Sequence, residues 1–230
     1  AKSGHGDIAS EPWRHWDWDD PQTVSSRCSK CHAPQANDAP MDLSYLAYVA
    51  TSEATEAPVA LGIDCVNCHQ TFPTIYNNLA KFGLPDGQLE PTTFPSGAEL
   101  SLFSSSNLCI VCQQGRESGA SVDDQIASQD PPYRFLNIHY YAAAASLFGS
   151  ESNAGYEYAG KDYKPRNTFA SHPDDFSNCV GCHMKNAENG EMHTWIPDAN
   201  TCIGCHGGTS LETLGGTPSV SYTNLQALIP

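Results

Sequence analysis

Basic residues are scarce in this chain, with 11 Lys and Arg against 26 Asp and Glu over 230 residues, a formal charge of -15. A polyanion of this kind argues against nucleic acid as a partner, because phosphate binding needs clustered cations. Long hydrophobic runs are missing too. No stretch approaches the roughly 18 apolar residues that a membrane helix requires, so no membrane span is expected. The residues from Ala1 show no charged-then-apolar export pattern, and the chain reads as a mature, soluble form. Apolar side chains make up 40% of the residues, alongside 18 Gly and 16 Pro, which is thin material for a large side-chain core. A fixed internal repeat is absent as well, and with it a solenoid.

Cysteine is plentiful. All 10 cysteines fall in Cys-x-x-Cys pairs: Cys28/Cys31, Cys65/Cys68, Cys109/Cys112, Cys179/Cys182 and Cys202/Cys205. Four of the five pairs are followed at once by histidine, namely His32, His69, His183 and His206. With 9 His in the chain, chance would produce that on the order of once in a hundred thousand trials, so the Cys-x-x-Cys-His reading is strong. Two thiols three positions apart lie on one face of a tight turn, where they can add to the two vinyl groups of a haem. The next side chain then reaches the iron as its proximal ligand. Zinc knuckles also use Cys-x-x-Cys pairs, but they do not require the adjoining histidine.

Cys109/Cys112 departs from the rule, because Gln113 stands where the histidine belongs. Haem attachment generally reads that histidine, so four haem c groups are expected, with a fifth at Cys109/Cys112 as the alternative. Covalent haem c is attached outside the energy-transducing membrane. An export signal removed before Ala1 is therefore expected, and the location is extracellular, cell-surface or periplasmic.

Five further histidines remain: His5, His15, His139, His172 and His193. Four distal ligands would fill the second axial position of four irons, giving bis-histidine haems suited to electron transfer. His15 lies among Trp13, Trp16 and Trp18, which could wall a haem, while the nearby carboxylates could take its spare proton. His139 precedes an alanine run that would let a haem approach the backbone. His172 and His193 lie shortly before Cys179 and Cys202. His5, flanked by glycines, is the weakest candidate within its own subunit, and could reach the iron of a neighbouring copy.

The fold class expected is a multihaem cytochrome c: mostly irregular loops with a few short α-helices and little β, its core built from stacked haems. Four haems in 230 residues leave roughly 58 residues each. Residues 1–230 read as one domain, with an N-terminal arm over 1–20 and a C-terminal arm over 208–230. Helices are expected at Leu43 to Ala50, Asp123 to Ser128 and Tyr133 to Phe148. A β-hairpin is expected at Tyr156 to Tyr163.

Trp13-Arg14-His15-Trp16-Asp17, the haem motifs, Cys112-Gln113-Gln114-Gly115-Arg116, Asn137-Ile138-His139-Tyr140 and Gly155-Tyr156-Glu157-Tyr158 together resemble a family of exported bacterial multihaem cytochromes. In that family the third site usually reads Cys-x-x-Cys-His-Gln-Gly-Arg, so Gln113 is a departure. The resemblance implies that His15 and His139 are distal ligands. Haem number and size also resemble the tetrahaem subunits of OmcE-like extracellular filaments, which implies a homopolymer with a histidine donated across the subunit interface. The function these features imply is electron transfer with redox partner proteins or extracellular electron acceptors. The Cys179 and Cys202 motifs, closest in sequence, would form the tightest pair. A multihaem reductase is the alternative, with one open iron near Cys109 to Gln113 and Arg116 as an anion partner.

Overall fold

The computed structural model describes residues 5, 7–33, 63, 91–102, 106–129, 131–166, 178–186, 190–191, 193, 195, 197–198, 200 and 202–203. The chain divides into two compact units, Gly4–Phe169 and a second formed by Ala1–Ser3 with Ala170–Pro230. The described residues hold few helices, all short, and little sheet. None of those helices is long and apolar enough to cross a membrane.

Among the described residues of the larger unit the elements are α1 (Glu11–Arg14), α2 (Ser26–His32), β1 (Thr92–Thr93), β2 (Glu99–Leu100), α3 (Asn107–Gln113), α4 (Gly119–Ser128) and α5 (Ala143–Phe148). A single 3-10 turn, Gly149–Glu151, follows α5. The strands β1 and β2 pair antiparallel, Thr92 opposite Leu100. In the smaller unit α6 (Cys179–His183) precedes β3 (Lys185–Asn186) and β4 (Gly190–Glu191), which also pair antiparallel.

Among the described residues one core cluster is small and aromatic. Phe94, Ile110, Ala144, Ala145 and Phe148 are buried together, and Leu100, Leu102, Ile138, Ala142 and Ala154 pack around them. Phe94 and Phe148 meet edge to face, their centroids 5.5 Å apart. The Arg166 guanidinium lies 4.4 Å from the centre of the Phe148 ring and is paired with Glu151 at 3.0 Å. At the head of α3, the buried Asn107 donates to Ser101 Oγ at 2.8 Å and accepts from the Leu102 amide at 2.7 Å. One face of α3 is thus fixed to the core through Ile110, with Cys109 and Cys112 half-buried.

Three expectations are met differently. Helix α4 covers the Asp123 to Ser128 segment but begins earlier, at Gly119. The Gly119 amide donates to Asn153 O at 2.8 Å, and a Cβ there would lie 2.6 Å from Asn153 Oδ1, so tertiary packing places the helix start at a residue that reads locally as a breaker.

The helix expected over Tyr133 to Phe148 is present only from Ala143. His139 (φ 90) and Tyr141 (φ 54) occupy left-handed backbone, which interrupts a helix. The polar groups of the upstream segment find other partners. The Gln125 side chain accepts from the Arg134 amide at 2.9 Å and donates to the Arg134 carbonyl at 3.0 Å, and Ile138 O accepts from the Arg116 amide at 3.0 Å.

The hairpin expected at Tyr156 to Tyr163 forms no strands. A turn closes there from the Lys161 amide to Tyr158 O at 3.2 Å. The Tyr163 hydroxyl accepts from the Tyr158 amide at 2.9 Å, where a ladder partner would otherwise stand. The helix expected at Leu43 to Ala50 lies outside the described residues.

Candidate haem sites

The three Cys-x-x-Cys motifs described in full share one local form. Each is a short helix that ends on the residue after the second cysteine: α2 on His32, α3 on Gln113 and α6 on His183. Helical geometry puts cysteines at i and i+3 on one face, which is the arrangement two thioether bonds to one porphyrin require. At α6 the Asn178 side chain caps the start by accepting from the Gly181 amide at 3.0 Å. Cys28, Cys31, Cys109, Cys112, Cys179, Cys182 and Cys202 form no disulfide with one another.

The first motif is the most completely built. His32 donates from Nδ1 to the Pro12 carbonyl at 2.8 Å. A carbonyl only accepts, so Nδ1 carries the proton and Nε2 keeps its lone pair. Trp13 and Trp16 stand beside the ring, with centroids 5.7 and 5.1 Å away. His139 approaches from another segment, its centroid 5.9 Å from that of His32. Burial pushes the His32 pKa below its usual value, and nearby His139 and His15 add to the effect. Burial also lowers that of His139, with the Arg116 guanidinium and His15 adding. Both imidazoles are therefore biased towards the neutral form that binds a metal.

His15 is near but differently held. Its Nδ1 lies 3.2 Å from Glu11 Oε1, and its ring meets the edge of Trp16 at 5.1 Å. Of the carboxylates expected to serve it, Asp17 pairs with Arg14 instead.

Helix α3 packs against α2, and the Cys31 thiol lies 4.0 Å from Val111 O. The Gln113 site thus keeps the helical form of a haem motif and sits beside the first one. Gln114 is buried and donates to Val111 O at 2.7 Å, closing the helix. Arg116 donates from Nε to Asn137 O at 3.3 Å.

In the smaller unit His183 repeats the feature seen at His32, donating from Nδ1 to the Trp195 carbonyl at 2.9 Å. The His193 ring lies 6.2 Å from that of Trp195. Burial raises the Cys182 thiol pKa, and the neighbouring Cys202 and Cys179 raise it further. The carbonyls of Pro12 and Trp195 were not singled out from the sequence, since a backbone acceptor has no residue signature.

His5 is half-buried, and its carbonyl accepts from the Ile63 amide at 2.8 Å. Cys65, Cys68, His69, His172, Cys205 and His206 lie outside the described residues. Among the described residues, no group of three or more His, Cys, Asp and Glu is placed to hold one metal ion, as a tetrahedral zinc knuckle would need. The residues do fit haem c: a pair of thiols on one helical face, an imidazole with Nε2 available, and in His139 a ring whose Nδ1 is buried without a hydrogen-bond partner.

Over 94% of its length the chain is 27% identical to the C-type polyheme cytochrome OmcC of Geobacter sulfurreducens. It is 28% identical over 96% of its length to the C-type polyheme cytochrome OmcB of two strains of the same species. This likeness supports a multihaem c-type cytochrome with covalently bound haem c. The chain spans about a third of the relatives it matches, 32% of OmcC and 34% of OmcB. No family model matches it, and no solved structure does.

Proposed function

We propose that this chain is an exported electron-transfer cytochrome with four haem c groups, attached at Cys28/Cys31, Cys65/Cys68, Cys179/Cys182 and Cys202/Cys205. The observation that carries this reading is the bond from a motif histidine's Nδ1 to a backbone carbonyl, made by His32 to Pro12 at 2.8 Å and by His183 to Trp195 at 2.9 Å. It fixes the tautomer and the ring direction, and makes Nε2 a better donor to iron. The likeness to polyheme cytochromes over nearly the whole chain supports the same reading.

When bound, such haems supply reversible one-electron chemistry. The chain's own task is to hold each iron on both sides so that it reorganises little, and to keep neighbouring haems close. His32, His69, His183 and His206 are the proximal ligands in this proposal. His15, His139, His172 and His193 are the distal set, and Cys109/Cys112 stays without haem. The span 1–230 acts as one cytochrome module with a core of stacked haems. Its partners are redox proteins or extracellular electron acceptors. Assembly into a filament, with His5 reaching the iron of an adjoining copy, is the extension of this reading that negative-stain microscopy tests.

Intact mass under denaturing conditions tests the cofactor, because thioether-linked haem stays on the polypeptide. Four haem additions and a fully low-spin oxidised spectrum are expected. Pigment that leaves the chain in acid-acetone would overturn the proposal.

A further inference from the structure

Two imidazoles from distant parts of the sequence meet at the first motif with the spacing of ligands facing one another across a single metal. We infer that His139 is the distal ligand of the iron held by His32 at Cys28/Cys31, within the same subunit, and that His15 is not. This rests on the haem reading above.

The ring centroids of His32 and His139 are 5.9 Å apart. An imidazole nitrogen binds a transition metal at about 2 Å and its ring centre lies about 1 Å further back, so two rings on opposite sides of one metal have centres about 6 Å apart. His32 commits Nδ1 to Pro12 O, leaving Nε2 for the metal.

The loop carrying His139 is held by several bonds in a conformation that a non-glycine residue rarely adopts, with φ at 90°. The His139 amide donates to Asn137 Oδ1 at 2.9 Å, and the preceding carbonyl, Ile138 O, accepts from the Arg116 amide at 3.0 Å. Gly115, at φ 84°, lets that carbonyl approach, since a Cβ there would lie 2.8 Å from Ile138 O. The effect is to turn His139 towards His32 while its Nδ1 stays buried with no hydrogen-bond partner. Burying such a nitrogen is unfavourable unless it gains a partner of its own, and direct coordination of that nitrogen to the metal would supply one.

His15 shows the opposite features. Its side chain is 67% exposed, its Nδ1 faces Glu11, and its ring rests on Trp16. It can approach the cluster as a neighbour of the haem edge, not as the group opposite His32.

The ring planes of His32 and His139 are inclined at 68°. Near-perpendicular axial imidazoles give low-spin ferric haem an unusually anisotropic electron paramagnetic resonance signal, which identifies this haem among the others. The full haem-loaded chain is compared with His139→Ala, His139→Met and His15→Ala. The expected result is loss of that signal in His139→Ala, with one haem becoming high-spin, added imidazole restoring low spin, and the denatured mass still carrying every haem. His139→Met should stay low-spin with a sulfur-to-iron charge-transfer band, which decides the matter if the alanine variant fails to accumulate. His15→Ala should leave this haem's signal in place and turn a different haem high-spin, since His15 belongs to the distal set of another iron. A fully low-spin His139→Ala protein, a His139→Met protein without the new band, or conversion of this haem in His15→Ala would each overturn the assignment. A wild-type mass without haem would instead overturn the haem reading itself, so the two failures are distinguishable.

Discussion

His183 donates its Nδ1 proton to the carbonyl of Trp195 at 2.9 Å, the same bond that His32 makes to Pro12 at 2.8 Å. The two acceptors lie on opposite sides of their motifs in sequence, twenty residues before His32 and twelve after His183. Different stretches of chain thus deliver the same chemical support to the same type of side chain. The role of that support is to fix the ring's direction and leave its far nitrogen available.

Haem count should follow the motifs one by one. Replacing Cys179 and Cys182 together by alanine is expected to lower the denatured mass by one haem, since both thioether anchors are lost. Replacing Cys109 and Cys112 together should leave the mass lower only by the side-chain change. Mass spectrometry of the purified proteins checks both, and loss of a haem from the second variant would show that Gln113 does not prevent attachment.

The small aromatic core should be sensitive to truncation. Phe148 is fully buried against Phe94, Ile110 and the α5 alanines. Phe148→Ala is expected to cost about 3 to 5 kcal/mol, from lost burial and the cavity left behind. Denaturant titration of the haem-loaded protein, followed by far-ultraviolet circular dichroism, measures it. A cost under about 1 kcal/mol would mean that this cluster contributes little to the fold.

Gly115 should transmit strain to the first site. Its φ of 84° and the 2.8 Å approach of a would-be Cβ to Ile138 O make Gly115→Ala unfavourable by about 1 to 3 kcal/mol. Ile138 immediately precedes His139, so the same variant should broaden or shift the low-spin signal of one haem. Gly160→Ala, also at positive φ but with nothing within 4 Å, should leave that signal unchanged and serves as the control.

Net charge should govern the kinetics of electron exchange. At a formal charge of -15 the chain attracts cationic mediators and repels anionic ones. Stopped-flow oxidation by a cationic ruthenium complex should slow as salt rises, and oxidation by ferricyanide should quicken, because screening weakens the field beyond about 10 Å at 0.1 M ionic strength. Salt-independent rates for both would mean that the exposed haem edges lie in neutral surroundings.

Local chemistry was readable where it is written in adjacent residues. Cys28, Cys31 and His32 stand together in one motif, and its short helix is the form that the spacing suggests. Segment 133–148 was not readable in the same way. Its composition favours a helix, but Gln125 and Arg116 take over its backbone partners from elsewhere in the chain, and the helix survives only at Ala143–Phe148. Tyr156 to Tyr163 alternates as a strand would, yet the Tyr163 hydroxyl takes the Tyr158 amide and no ladder forms. Propensity loses in both places because specific hydrogen bonds, from outside the segment in the first and from a side chain five positions away in the second, outweigh a preference of a few tenths of a kcal/mol per residue.

By itself the order of residues determined the Cys-x-x-Cys pairs, the histidines that follow four of them, the net acidic charge and the scarcity of regular structure among the described residues, since each depends on neighbours in the chain or on composition. Only the tertiary structure decided that the His139 ring comes within 5.9 Å of that of His32 while His15 rests on Trp16, and that the carbonyls of Pro12 and Trp195 accept from the motif rings. Those relationships join residues up to 107 positions apart, from His32 to His139. Separation along the chain carries no information about such distances until packing has set them.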